Sequence, residues 1–158
     1  MDTFSKTKRS YIMSKVSGKD TTPEILVRRY LFSKGFRYRK NVTDLPGKPD
    51  IVLPKYKTIV FIHGCFWHGH EGCEAAKLPA TNIEYWTKKV SSNINRDFKN
   101  VQALQILGWN VIAVWECELK TAYRKKRLDV LLQEIINQKN SSRLASGSRG
   151  KYENLRFS

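Results

Sequence analysis

An α/β fold, a mixed central β-sheet flanked by helices, is what the sequence predicts, and three patterns carry that reading. Two segments repeat apolar residues every three or four positions, the mark of helices with one buried face. Short apolar runs of strand length lie around them, bounded by Pro, Gly and Lys. One run, residues 58–62, is almost wholly apolar, as a strand covered on both faces must be. Helices alternating with such strands fit one layered domain.

Residues 1–20 are polar and basic, with Met13 and Val16 at helical spacing, and form a segment ahead of the domain proper, 21–137. Thr21 and Glu24 match a capping box, Pro23 sits in the first turn, and Gly35 stops a helix whose buried stripe is Leu26, Val27, Tyr30 and Leu31. Residues 36–42 alternate in part and read as a strand, and Leu45-Pro46-Gly47-Lys48-Pro49 forms turns. Residues 50–53 and 58–62 predict a β-hairpin with a four-residue connection. With that connection centred near Tyr56, Asp50 falls opposite Ile62. An irregular segment rich in His, Gly and Cys occupies 63–80. Thr81 and Glu84 match a second capping box, and a long helix follows with Ile83, Trp86, Val90, Ile94, Val101, Leu104 and Leu107 as its apolar stripe. Gly108 ends it, and 109–115 is a further strand. A last amphipathic helix near 127–137 carries Leu128, Leu131, Leu132, Ile135 and Ile136. The Ser/Arg-rich stretch 138–158 is expected to be a disordered basic tail.

Hydrophobic residues make up 41% of the 158, enough for a core, and the formal net charge of +15 points to a polyanionic partner, nucleic acid before membrane. No apolar run approaches the roughly 20 residues of a membrane span, and the N-terminus lacks the apolar core of a secretory signal. An intracellular, cytoplasmic monomer is expected. Three cysteines, an odd number, argue against a disulfide framework and towards a metal or free thiols.

The densest chemistry is His63-Gly64-Cys65-Phe66-Trp67-His68-Gly69-His70-Glu71-Gly72-Cys73. Thiolates with imidazole select zinc, and Cys65, Cys73 and Cys117 with either His68 or His70 make a standard structural set. A remaining histidine is free to act as a base, because it titrates near neutrality. Asp97 follows Ile94 by three and precedes Val101 by four, so it sits on the apolar stripe, where a carboxylate is costly unless paired. It either orients such a base or pairs with an Arg or backbone group. Asp50 opens the hairpin, where a carboxylate beside a basic groove holds magnesium or simply caps a turn. Glu24 reads most simply as a capping residue. Phe66, Trp67 and Trp86 either wedge between bases or pack in the core.

Taken in order, Arg9-Ser10 to Met13, Asp20-Thr21 to Glu24, Leu45-Pro-Gly-Lys-Pro-Asp50, Phe61-Ile-His-Gly-Cys-Phe-Trp-His68, Leu78-Pro-Ala-Thr81, Arg96-Asp97, Leu107-Gly-Trp109 and Val114-Trp-Glu-Cys117 resemble the very-short-patch repair endonucleases, a branch of the PD-(D/E)xK restriction-endonuclease-like superfamily. The resemblance spans about residues 5–120. It implies an enzyme that nicks one strand of duplex DNA beside a T·G mismatch left by deamination of 5-methylcytosine, with mismatch-repair proteins as possible partners. It implies magnesium on Asp50 and on the main-chain carbonyl of Ile62, where the family has threonine. His68 becomes the general base and Asp97 its orienting carboxylate, with His63 and Glu24 in support. Cys65, His70, Cys73 and Cys117 become ligands of a structural zinc. Phe66, Trp67 and Trp86 become an aromatic wedge, and Met13 and Val16 enter DNA from the minor-groove side.

Overall fold

The computed structural model describes residues 5–14 and 18–152, and for Met13 and residues 142–152 it describes the backbone alone. Val16 and the side chain of Met13 therefore lie outside the described residues. Helix α1 (Lys6–Ser14) precedes α2 (Thr22–Ser33), β1 (Arg39–Lys40), β2 (Ile51–Leu53), β3 (Thr58–His63), α3 (Ile83–Ile106), β4 (Asn110–Trp115) and α4 (Arg124–Tyr152). The four strands form one mixed sheet in the order β1-β2-β3-β4, antiparallel at its first two pairings and parallel between β3 and β4.

Period-two alternation along the strands sorts the core into two faces. Ile51, Leu53, Val60, Ile62, Ile112 and Val114 meet Val27 and Leu31 of α2 and Leu128, Leu131 and Ile135 of α4. Val52, Ile59 and Phe61 turn the other way, to a smaller cluster with Val42 and Leu104 of α3. Because β3 feeds both clusters it is buried along nearly its whole length, as its apolar run predicts. Among the described residues, no helix is long and apolar enough to cross a membrane.

Four local expectations change. The hairpin pairs Ile51 with Val60 and Leu53 with Thr58, so Asp50 falls opposite Phe61 rather than Ile62. The cause is the connection, a 3-10 turn at Pro54–Tyr56 closed by Lys57 in the left-handed region at φ 50°, which centres the turn half a residue earlier. Asn82, not Thr81, precedes α3, in the left-handed region and with no side-chain cap bond, which Asn tolerates better than a β-branched residue. The stripe of α3 is buried only in part. Val90, Asn93 and Leu104 are covered while Ile83, Ile94 and Leu107 are exposed, because a sheet this narrow occupies only part of a 24-residue helix. Last, α4 is helical to Tyr152 and so passes the expected boundary at 138. No proline interrupts it, and Arg143, Leu144, Ala145 and Lys151 favour helix.

Candidate functional site

The segment 64–70 folds on its own carbonyls, with His68 N–H donating to Gly64 O at 3.2 Å and His70 N–H to Cys65 O at 2.9 Å. It seats against α3 at Gly69, whose φ is +62° and where a Cβ would fall 2.6 Å from Ile94 Cδ1 and 3.0 Å from Val90 Cγ1. Only glycine satisfies both the backbone and the close approach. Asn93, buried in the same helix, donates from Nδ2 to the Trp67 carbonyl at 2.9 Å. These contacts fix the segment so that alternate side chains serve two different centres.

At the first centre, Cys65, His70, Cys73 and Cys117 each present a ligand atom within 4.8 Å of the others. A zinc tetrahedron with bonds of about 2.0–2.3 Å has edges of roughly 3.5–3.8 Å, so modest closure suffices. Cys117 Sγ already lies 3.4 Å from His70 Nδ1, whose ring stacks on Trp115 at 4.1 Å. Burial and the other two sulfurs push the Cys117 thiol up to about 12, and burial raises Cys65, whereas the Ala75 amide lowers Cys73. Cys65 and Cys117 thus hold their protons tightly until a cation neutralises them, while Cys73 gives its proton up more readily. Soft donors in this number and spacing fit a bound metal ion.

The second centre is a cavity of about 570 Å³ whose lining includes Glu24, Asp50, Ile62, His63, His68 and Asp97. His68 Nδ1 lies 2.5 Å from Asp97 Oδ2, which joins the segment to α3 across 29 positions of sequence. His63 stacks on His68 with ring centroids 4.0 Å apart and planes within 5°. Burial, and then the neighbouring His68, hold the His63 imidazole down at about 4, so it is neutral across the physiological range. Its Nδ1 is buried and has no hydrogen-bond partner among the described residues. Asp50 accepts the Ile62 amide at 2.7 Å, yet burial pushes its carboxyl up to about 6, with the Glu24 charge adding to the rise. A strand residue presents its N–H and C=O to the same neighbouring side, so the Ile62 carbonyl faces the side where Asp50 sits. A carboxylate this costly to ionise, with carbonyl and carboxylate oxygens around it, fits a hard cation.

Phe66, Trp67 and Trp86 form one cluster of edge-on rings, at 5.1 Å for Phe66–Trp67, 5.3 Å for Phe66–Trp86 and 6.0 Å for Trp67–Trp86. All three are half-buried, and Tyr85, 59% exposed, adds a fourth ring 5.0 Å from Trp86.

Comparison of the sequence with known proteins finds relatives along most of the chain. A family model described as DNA mismatch endonuclease Vsr covers residues 1–75. The DNA mismatch endonuclease Vsr of Escherichia coli strain K12 is 39% identical over 137 residues, 87% of this chain and 86% of that protein. The chain belongs to the Vsr family. Also similar are the type II nicking enzyme V.NmeAIP of Neisseria meningitidis serogroup A, 53% identical over 85% of this chain and 96% of that protein, and V.XorIIP of Xanthomonas oryzae, 47% identical over 75% and 86%. As a member of the Vsr family the protein is a DNA endonuclease, a hydrolase of phosphodiester bonds.

Against that family background, the structure gathers Asp50, His63, His68, Asp97 and Glu24 around one cavity, and Cys65, His70, Cys73 and Cys117 into one cluster that could hold a metal ion. Sequence reasoning left His68 and His70 as alternatives for the metal, and the geometry puts His70 with the thiols and His68 with Asp97. It read Glu24 as half of a capping box. Thr21 Oγ1 does accept the Glu24 amide at 3.4 Å, but the Glu24 carboxylate takes the Asp20 amide at 2.8 Å and the Arg28 guanidinium at 2.7 Å. Sequence reasoning gives no role to Arg28, Asn93 or the cavity-lining Asn100, and quotes the cavity-lining Lys48 and Arg96 only as parts of motifs. Asn93 had a signal, for it lies four before Asp97 and three after Val90, on the buried stripe. Lys48 and Arg96 stand in the motifs that carry the family resemblance, which is their signal.

Proposed function

We propose that the protein nicks one strand of duplex DNA beside a T·G mismatch arising from 5-methylcytosine deamination, by magnesium-dependent hydrolysis on a restriction-endonuclease-like fold. The observation that carries the chemistry is the His68–Asp97 pair, 2.5 Å apart, beside Asp50 in one cavity. Asp97 holds Nδ1 of His68, which leaves Nε2 to take a proton from water and to hold it while the imidazolium is balanced by the carboxylate. His63, kept neutral and stacked on His68, adds no opposing charge. Asp50 and the Ile62 carbonyl would hold magnesium, which when bound stabilises charge on the phosphate and the leaving oxygen. Glu24 faces the same space and would bind its hydration shell. Zinc on Cys65, His70, Cys73 and Cys117 would staple the 64–70 segment to the end of β4 and supply folding energy, not chemistry.

Specificity would come from the ring cluster. A wobble pair is less well stacked than its matched counterpart, so opening it costs less, and Phe66, Trp67 and Trp86 would fill the gap. The basic N-terminal segment, with Met13 and Val16, would meet the opposite groove, and the +15 charge would hold the backbone. Action on DNA inside the cell, as a monomer, follows from this reading. The nicking-enzyme names of several relatives favour a second reading, duplex nicking at a recognition sequence without a mismatch. Incubation with magnesium and end-labelled T·G-mismatched or matched duplexes separates the two. Nicking restricted to the mismatched duplex supports the first reading, and equal nicking of both refutes it.

A further inference from the structure

Glu24 and Arg28, one turn apart in α2, are 4% and 5% exposed, yet they are charged. The Arg28 fork is divided. Nη2 donates to Glu24 Oε2 at 2.7 Å and Nη1 to Asp20 Oδ1 at 2.6 Å. The Asp20 amide donates back to the same Glu24 Oε2 at 2.8 Å, so the three residues close a ring. Asp20 itself sits at φ +54°, in the left-handed region. Lys40 Nζ, at the end of β1, and Nδ2 of the following Asn41 approach the same Asp20 oxygen at 3.7 Å and 3.4 Å. Arg28 Nε is buried and has no hydrogen-bond partner among the described residues.

Such a ring is a poor way to stabilise a helix. A buried ion pair is commonly no better than apolar residues of the same volume, and the unmade Nε bond is a further cost. What the ring does is orient. Both bonds to the Glu24 carboxylate land on Oε2, while Glu24 lines the cavity shared with Asp50, Ile62, His63 and His68. Among the described residues both of these bonds fall on Oε2, and we infer that Oε1 is the oxygen that serves the cavity Glu24 lines. A lysine could not reproduce this, because one ammonium lacks the planar fork that meets two carboxylates at once.

We propose that Arg28 is a positioning residue of the active site, closing through Asp20 a ring that pins Glu24 Oε2 and turns Oε1 toward the hydrated cation and phosphate held beside Asp50. This rests on the reading of that cavity as the magnesium and phosphate site. Neither Arg28 nor Asp20 touches the reacting atoms. Both act through Glu24.

The test is single-turnover nicking of T·G duplex by the full zinc-loaded chain, with magnesium titrated and duplex affinity and melting temperature measured in parallel. Arg28→Met should raise the magnesium concentration for half-maximal rate by about 10–100-fold, the range for partners that orient metal ligands. Duplex affinity should stay unchanged. Arg28→Lys should recover part of the loss. Asp20→Asn, at an exposed position that leaves the core alone, should give a smaller shift in the same direction and keeps the test open if Arg28→Met fails to fold. The deciding comparison is Glu24→Gln with and without Arg28→Met. If Arg28 acts through Glu24, the double variant is no worse than Glu24→Gln alone, whereas additive losses overturn the proposal. An unmoved magnesium dependence in Arg28→Met and Asp20→Asn overturns it too. Wild-type protein that nicks no duplex would instead sink the functional reading beneath it.

Discussion

The Cys₃His cluster and the Asp50 cavity are built from the same few residues of chain, yet they resolve their electrostatics in opposite ways. Cys65 and His70 face one centre while His68, between them, faces the other, and Trp115 touches both through His70 at 4.1 Å and His63 at 5.1 Å. In the first centre four soft donors converge, and one bound cation would satisfy all of them, so the charge problem would close on itself. In the second, Asp50 is pushed up to about 6 and the buried His63 Nδ1 has no partner among the described residues, so the site keeps unmet demand beside an open cavity. A closed cluster adds stability, and an open one holds strain that substrate and cation can relieve. Mutations in the two should therefore separate folding from catalysis even when they are a few residues apart.

The widest separation should come at the cluster. Cys73→Ser or Cys117→Ser removes a ligand from a site of a kind that supplies about 10–16 kcal/mol in finger peptides. Losing even a third of that lowers the melting temperature by roughly 10 °C or more in a domain of this size. Bound zinc, measured by elemental analysis, should fall with it. Well-folded wild-type protein free of zinc would break the comparison at its root.

Next is the base. His68→Ala and Asp97→Asn should slow nicking by about 10²–10⁴, the usual contribution of a positioned proton acceptor. Zinc content should be retained and the melting temperature little moved, although His68 lies two residues from His70. A variant that lost zinc as well would show that the two centres are one mechanical unit.

Asp50→Asn sharpens the contrast because its two effects have opposite signs. The folded-state carboxyl titrates near 6 and the unfolded one near 3.8, so the folded chain binds the proton more tightly. The stability tied to that proton is present below 3.8 and is lost as pH rises to about 6. At pH 7 in magnesium-free buffer, asparagine should restore up to about 3 kcal/mol, since its Oδ1 can still accept the Ile62 amide. Nicking should be abolished. A melting temperature that rises at pH 7 and not at pH 4 confirms the sign, and an equal or lower one at both refutes it.

The smallest effect should be at the rings. Trp67→Ala should weaken T·G duplex binding by about 1–3 kcal/mol, the worth of one base–aromatic stack, and matched duplex, held by phosphates, should lose less. Equal losses on both, accompanied by a large drop in melting temperature, would make Trp67 a packing residue.

The two centres were not equally legible. The thiol and imidazole ligands stand out in sequence because few residue types bind soft metals and three of the four lie within 65–73. The cavity residues are carboxylates and histidines with many ordinary uses, and Asp97 could equally have paired with an arginine. Glu24 was read from the capping rule, which is local, and the rule was half right: the cap bond forms, but the carboxylate turns to Asp20 and Arg28. Arg28 itself carried no signal, since one arginine in a basic helix looks like any other until it is buried.

Alternation and helical period, which need only near neighbours, determined by themselves that Val60 and Ile62 would face one layer and Ile59 and Phe61 the other. The same local rules gave the helices, the hairpin and the metal-ligand types. Tertiary structure alone decided which groups meet. It set the hairpin register that puts Asp50 opposite Phe61, the pairing of His68 with Asp97 across 29 positions, and the contact of Cys117 with His70 across 47. The reason is physical. A residue's face follows from a period two to four residues long, whereas its partner depends on turn geometry and on how α3 seats against Gly69, where an added Cβ would fall 2.6 Å from Ile94 Cδ1.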